Sequence, residues 1–277
     1  MVLTAYIRLI RPLNGLIAFI SVILGAFLSN GNINPINKII FASSVALLLL
    51  SAGNALNDYC DVLTDKINKP SRPIPAGLIK KRSALIFSVI LFLIAIGISY
   101  FVNLTGFIIA LIAALLLILY SAKLRDFPLL ANSIIAFLTG LAFIYGGVAV
   151  KSIKGAIIPA IFAFLFTLSR EVVKDIQDIK GDQLAGMSSI PINWGKKKAI
   201  FISVIFSVLV IVGSPMPYII GYYSVYYLIC MIFGVDLVLV YCIASLLKDS
   251  SEKNSGKIAT IMKFDIFACL VAIYFGR

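Results

Sequence analysis

Nine apolar stretches follow one another along this chain, each close to the roughly 20 residues that a helix needs to cross a bilayer. They cover roughly residues 13–30, 37–57, 83–102, 105–121, 128–149, 155–174, 197–213, 217–247 and 258–276. Backbone amides in hydrocarbon must be satisfied within the protein, which leaves helices or a closed barrel. The alternating pattern of a barrel strand is missing, so the expected fold class is an all-α polytopic membrane protein. The fourth and seventh stretches are short, and the eighth is long enough to tilt or break. The first follows Arg8 and Arg11 much as a signal peptide would. It has no small-residue cleavage site and further spans follow, so it reads as a retained helix.

Composition narrows the chemistry. Charged residues make up 13% of the chain and hydrophobic ones 61%, against about 25% charged in an ordinary soluble domain. A soluble enzyme and a disordered chain are both excluded. There is no histidine, which removes zinc sites of the usual kind, haem ligation, and Ser-His or Cys-His nucleophilic chemistry. Cys60, Cys230, Cys242 and Cys269 are scattered without a C-x-x-C spacing and read as small packing residues.

The net charge of +12 is distributed unevenly. With the N-terminus inside, eighteen Lys and Arg fall in inside segments and four (Lys38, Lys151, Lys154 and Arg277) outside. That bias fixes the orientation under the positive-inside rule and agrees with an odd number of spans. The expected location is the cell membrane, multi-pass, with a cytoplasmic N-terminus and an outer C-terminus. Topology accounts for the positive charge, so no nucleic-acid partner is expected.

The acidic residues are few and clustered. Residues 54–77 read NALNDYCDVLTDKINKPSRPIPAG and contain Asp58, Asp61 and Asp65. Residues 170–191 read REVVKDIQDIKGDQLAGMSSIP and contain Asp175, Asp178 and Asp182. Both are D-x-x-D-x-x-x-D. On a helix these positions share one face over about 10 Å. The clusters end the second and the sixth spans, which run in the same direction, so the single domain 1–277 reads as two parallel pseudo-repeats. Asn54 and Glu171 stand at matching positions, and each cluster runs into a loop with proline. Three carboxylates at a helix C-terminus repel one another and the macrodipole. A hard divalent cation reverses that balance, and Mg²⁺ characteristically combines one or two carboxylates with water and substrate phosphates. A solvated helix end neutralised by Lys66, Lys69, Lys174 and Lys180 is the simpler account of either cluster alone, but a poor account of two at identical spacing.

Cations and polar groups accompany both clusters. Lys69 and Arg72 follow the first; Arg170 and Lys174 flank the second, with Arg170 about a turn inside its span, where a charge is costly. Near the start, RLIRPLNGL places Arg8 and Arg11 at the membrane surface and Asn14 inside the first helix, where an amide must find a polar partner. After the fourth span, LYSAKLRDFP offers Tyr120, Lys123 and Arg125.

The first cluster is N-D-x-x-D-x-x-x-D, with Asn57 ahead of Asp58. Together with the second cluster it resembles the UbiA-type intramembrane prenyltransferase superfamily, over nearly the whole chain. RPLN near the start, NDYCDVLTDKINKPSRPIP and REVVKDIQDIKGD look most like its archaeal ether-lipid branch, the digeranylgeranylglyceryl phosphate synthases. The resemblance implies about nine helices around a central cavity, with a cytoplasmic cap from the 2–3 and 6–7 loops. One element departs from the family's pattern. Its Tyr-x-x-x-Lys would need Lys at 124, where this chain has Leu124, so Lys123 or Arg125 would have to serve.

The resemblance implies Mg²⁺ on the six aspartates and a prenyl diphosphate donor. Asn54, Asn57, Lys69, Arg72, Tyr120, Arg170, Glu171 and Lys174 would line the substrate site, with Arg8, Arg11, Asn14, Lys123 and Arg125 near its mouth. In the branch resembled, a geranylgeranyl group passes from geranylgeranyl diphosphate to the free hydroxyl of geranylgeranylglyceryl phosphate, a lipid-like acceptor. An aromatic or porphyrin acceptor, as in quinone or haem biosynthesis, is the alternative within the superfamily. A divalent-cation transporter is the alternative outside it. Against transport, the carboxylates lie at helix ends rather than at the bilayer midplane, and the repeat is parallel rather than inverted.

Overall fold

The computed structural model describes residues 2–124 and 127–276, and among them it is helical with no strand. The helices are α1 (Val2–Ile10), α2 (Pro12–Asn30), α3 (Ile36–Cys60), α4 (Val62–Asn68), α5 (Lys81–Ser99), α6 (Leu104–Ala122) and α7 (Pro128–Ala149). They continue with α8 (Ile157–Leu184), α9 (Ile190–Asn193), α10 (Lys196–Gly213), α11 (Met216–Ile219), α12 (Val225–Met231), α13 (Leu237–Lys248) and α14 (Glu252–Tyr274). Eight helical segments among the described residues are long and apolar enough to cross a membrane. The ninth expected span, 258–276, lies in α14, a helix of 23 residues. Glu252, Lys253, Lys257, Lys263 and Asp265 distribute charge over both halves of α14. Large apolar side chains stand exposed along the spans, among them Leu93 at 65%, Phe201 at 65% and Phe233 at 69%. In water such surfaces would aggregate; in a bilayer they are the lipid-facing side.

Local chemistry sets where helices start and stop. Pro12 and Pro128 occupy first-turn positions, where a missing N–H costs nothing. Gly31 closes α2 in the left-handed conformation (φ 79°), its N–H donating to Phe27 O at 2.7 Å. The eighth expected span, 217–247, is broken, as its length suggested. A turn at 220–224 detaches Met216–Ile219 from it, and a π-helical turn at Ile232–Asp236 joins α12 to α13. The sixth span is longer than expected, because α8 runs on to Leu184 and carries the second acidic motif on one unbroken helix.

The chain forms two compact units. The first comprises 1–126, 142–156 and 180–187. Within it, α2 and the second half of α7 approach backbone to backbone. A Cβ on Gly25 would lie 2.1 Å from Phe143 O, and one on Gly146 would lie 1.9 Å from Val22 O. Only glycine permits that approach, the small-residue packing that membrane helices use where lipid is as apolar as leucine. Ser88 Oγ ties α5 to α3 through Ala52 O at 2.8 Å. The second unit comprises 127–141, 157–179 and 188–277. Its core gathers Phe166, Ile176, Tyr227, Leu239 and Met262. Ser169 on α8 lies within hydrogen-bond distance of Ser203 (3.0 Å) and Ser207 (2.8 Å) on α10, a polar seam inside the apolar packing.

Candidate functional site

The first acidic motif straddles the end of α3. The helix breaks at Asp61 (φ −90°, ψ 13°) and resumes as α4, so the motif does not lie on a single uninterrupted helix. The break is slight. Asp61 N–H still donates to Asn57 O and Asp65 N–H to Asp61 O, both at 2.8 Å. Asp58 and Asp65 therefore stay on one side, and Arg72 bridges them. Its Nη1 lies 3.0 Å from Asp58 Oδ1 and 2.5 Å from Asp65 Oδ2. Asp58 is 1% exposed and Asp65 3%. Burial pushes the Asp65 carboxyl above the ordinary carboxylate value, and Arg72 pulls against that push.

Arg72 returns to the motif through a tight loop. Its N–H donates to Lys69 O, and beyond it the N–H groups of Leu78 and Ile79 both donate to Pro73 O, with Gly77 left-handed at φ 72°. A second cation comes from the N-terminal side. Pro12 pushes the residue before it out of the right-handed helical region, and Arg11 sits left-handed at φ 52°, separating α1 from α2. From there its guanidinium pairs with Asp58 and donates to Asn54 Oδ1 at 3.2 Å. Asn54 in turn donates to Ile10 O at 3.1 Å, and Arg8 donates to Ser71 O. Asn57 donates to Asp61 Oδ2 at 2.6 Å. Arg8, Arg11, Asn54, Asp58, Asp65 and Arg72 thus gather at one place. Arginines brought from the two flanking segments pair with Asp58 and Asp65, and the Lys69 charge also acts on Asp65.

The tail of the second motif belongs to the same unit. Gly181 N–H donates to Asn68 Oδ1 at 3.0 Å, and a Cβ at 181 would lie 2.3 Å from the Asn68 side chain. Thr64 Oγ1 lies 3.0 Å from Met187 Sδ. Asp182, half-buried on the last turn of α8, is therefore carried on a segment docked to α4. Gly186, left-handed at φ 68°, ends that helix with Met187 N–H on Asp182 O at 2.8 Å.

In the second unit, Glu171 is 7% exposed and held by two cations, Arg170 Nη1 at 3.1 Å and Lys174 Nζ at 2.6 Å. Arg170 also donates Nε to Ala259 O on α14 at 3.1 Å, which accounts for a charge inside a span. Asp175 accepts from Asn132 Nδ2 on α7 at 2.8 Å. Asp178 is half-buried on the same helix. Sequence reasoning passed over Asn132, Asn68, Gly181 and Ser71. For Asn132 the signal was present: an amide inside an apolar span, the feature that singled out Asn14.

Of the remaining candidates, Asn14 sits half-buried in the first turn of α2, and Tyr120 half-buried at the end of α6. Lys69 caps the end of α4, and Lys123 caps α6, exposed. Arg125 lies outside the described residues.

The donor chemistry fits Mg²⁺. The oxygens are carboxylate and amide, with no histidine in the chain. Among the described residues no three Asp, Glu or Cys converge as a ready-made cage. Mg²⁺ takes one or two carboxylates and completes its shell with water and substrate phosphates.

The sequence pattern of the UbiA prenyltransferase family matches residues 18–265. The digeranylgeranylglyceryl phosphate synthase of Thermococcus sibiricus is 39% identical over 276 residues, covering 100% of this chain and 98% of that protein. A solved digeranylgeranylglyceryl phosphate synthase superposes with a TM-score of 0.75 at 36% identity, covering 99% of this chain and 98% of the other. A UbiA homologue from Archaeoglobus fulgidus, solved bound to DMAPP and Mg²⁺, shares the fold with a TM-score of 0.60 at 17% identity, covering 96% of this chain and 99% of that one.

Proposed function

Because the chain belongs to the UbiA prenyltransferase family, we propose that it transfers a geranylgeranyl group from geranylgeranyl diphosphate to the free hydroxyl of geranylgeranylglyceryl phosphate, making the second ether bond of an archaeal membrane lipid. The likeness over full length to synthases of that name carries this reading. The same likeness sets the cation transporter aside.

The two D-x-x-D-x-x-x-D motifs are the metal-holding element in duplicate: Asp58, Asp61 and Asp65 in one, Asp175, Asp178 and Asp182 in the other. When bound there, Mg²⁺ neutralises the charge that develops on the diphosphate as the allylic C–O bond breaks. Arg72 supplies further positive charge beside Asp58 and Asp65, and Arg11 beside Asp58. Preorganised charge of this kind stabilises the transition state more than the ground state. The apolar helix walls keep water from capturing the allylic cation. The glycerol oxygen then bonds to C1 of the prenyl group, its proton passes to the diphosphate that took the C–O electron pair, and that diphosphate departs.

Arg8, Lys123 and Arg125 serve the acceptor's phosphate. A hydroxybenzoate or naphthoate, with a single carboxylate, would need less of this positive charge than a phosphate does. The test is transfer of radiolabelled geranylgeranyl by purified protein in detergent, with glycerophosphate, hydroxybenzoate and naphthoate acceptors compared. The glycerophosphate is expected to be used fastest. Alanine at Arg8, Lys123 or Arg125 is expected to raise its KM at least tenfold for one of the three, since a charge-assisted hydrogen bond contributes about 1.5–3 kcal/mol. Faster prenylation of a hydroxylated ring would transfer the assignment to the aromatic branch.

In this reading the N-terminus and the segments at 66–82 and 180–198 are cytoplasmic, Lys38 and Lys151 lie outside, and α14 completes the ninth crossing to an outer C-terminus. A membrane-impermeant thiol reagent applied to the outer face should label a cysteine introduced at 38 or 151 and spare one at 80 or 197. The opposite pattern would invert the topology and move the active-site mouth to the other side.

A further inference from the structure

The two acidic motifs differ in where they obtain an amide. The first carries its own: Asn57, immediately before Asp58, donates Nδ2 to Asp61 Oδ2 at 2.6 Å. In the second, the residue matching Asn57 is Lys174, and it bonds to Glu171 instead. The amide arrives from another helix. Asn132, in the second turn of α7, donates Nδ2 to Asp175 Oδ2 at 2.8 Å.

Asn132 is 6% exposed and sits in an apolar span. A buried amide there is retained only with a partner, because an unpaired N–H in that setting is costly. Its partner is the leading aspartate of the motif. A carboxylate is a rotor with two equivalent oxygens. An N–H fixed on a neighbouring helix, bonded to one oxygen, stops that rotation and sets the direction of the carboxylate. Partners of this kind behind a metal ligand commonly contribute 10- to 100-fold in metal affinity.

We propose that Asn132 is a positioning residue of the transferase site: from α7 it orients the leading aspartate, Asp175, for Mg²⁺, whereas the amide within the first motif, Asn57, holds that motif's second aspartate, Asp61. The assignment rests on the Mg²⁺ reading of the motifs. It acts through Asp175 and touches no reacting atom.

The experiment follows thermal melting of the purified full chain in detergent as Mg²⁺ is titrated in the presence of inorganic diphosphate. The wild-type protein should melt later as Mg²⁺ rises. Asn132→Leu keeps the branching at Cγ and removes the N–H; its Mg²⁺ midpoint should move up by about 10- to 100-fold. Asn132→Gln keeps an amide donor and should fall between the two. In transfer assays the Leu variant should regain much of its kcat at saturating Mg²⁺, because the ligand itself remains. Should Asn132→Leu fail to fold, Asn132→Ser, too short to reach, should show the same upward shift. An unchanged midpoint in the Leu or Ser variant, even with transfer reduced, assigns Asn132 to packing alone and overturns the proposal. A wild-type chain whose melting ignores Mg²⁺ overturns the metal reading itself, and this role with it.

Discussion

Replacing Asp58 or Asp175 by alanine is expected to lower turnover by at least about a thousandfold, the equivalent of roughly 4 kcal/mol of transition-state stabilisation. Each is the leading aspartate of its motif, and each is already engaged. Asp58 is 1% exposed and paired with both Arg11 and Arg72, while Asp175 is bonded to Asn132. Losing Asp58 also takes a partner from two guanidinium groups, so Asp58→Ala should melt earlier as well. Asp58→Asn separates the two effects: it keeps the shape and a hydrogen-bonding oxygen for the arginines but removes the charge. It should melt close to the wild type and still turn over at least a hundredfold more slowly, a loss of about 3 kcal/mol. The measurement is kcat for prenyl transfer beside a melting curve for each variant. Retention of more than a tenth of the wild-type rate by either alanine variant would mean that its motif does not drive ionisation.

Much of this architecture follows from composition. Lipid admits only self-satisfied backbone, so long apolar runs become helices whatever their detailed propensities. The runs at 13–30, 37–57, 83–102, 105–121 and 128–149 each form one helix with ends shifted by a few residues. The errors fall where a helix leaves hydrocarbon or bends within it. α8 continues ten residues past its expected end, because the polar stretch VKDIQDIKGDQL keeps helical geometry in its own right. The π-helical turn at Ile232–Asp236 adds a residue to a turn without disturbing the apolar pattern, so no periodicity reveals it.

The candidate site divides in the same way. Carboxylate spacing is local information, and it brought Asp58 and Asp65 to one side with the accuracy of helix geometry. The break at Asp61 was not legible, since Cys60, Asp61 and Val62 include neither Gly nor Pro. The cations were legible as residues but not as partners. Arg72 reaches back 14 positions and Arg11 forward 47, distances set by a proline-rich loop and by a left-handed residue before Pro12. Lys69 and Arg72 were both legible beside the first cluster, but not which of them pairs with which aspartate. Arg11 and Arg72 pair with Asp58, and Arg72 with Asp65 alongside the Lys69 charge; the planar, fork-shaped guanidinium suits one group bridging two carboxylates. Asn132 was passed over, although an amide inside a 22-residue apolar helix must find a polar partner, the same signal that singled out Asn14.

Removal of the metal is the second large effect, and it tests the central claim most directly. In the proposed reading, a diphosphate sits beside an acidic motif only if divalent cations offset the carboxylate charge that the arginines at Asp58 and Asp65 leave uncompensated, because carboxylate and diphosphate otherwise repel. Purified protein given labelled geranylgeranyl diphosphate and geranylgeranylglyceryl phosphate should form the diether product with Mg²⁺ present. Product formation should stop in excess chelator and return when Mg²⁺ is restored. Undiminished product in excess chelator would contradict the account.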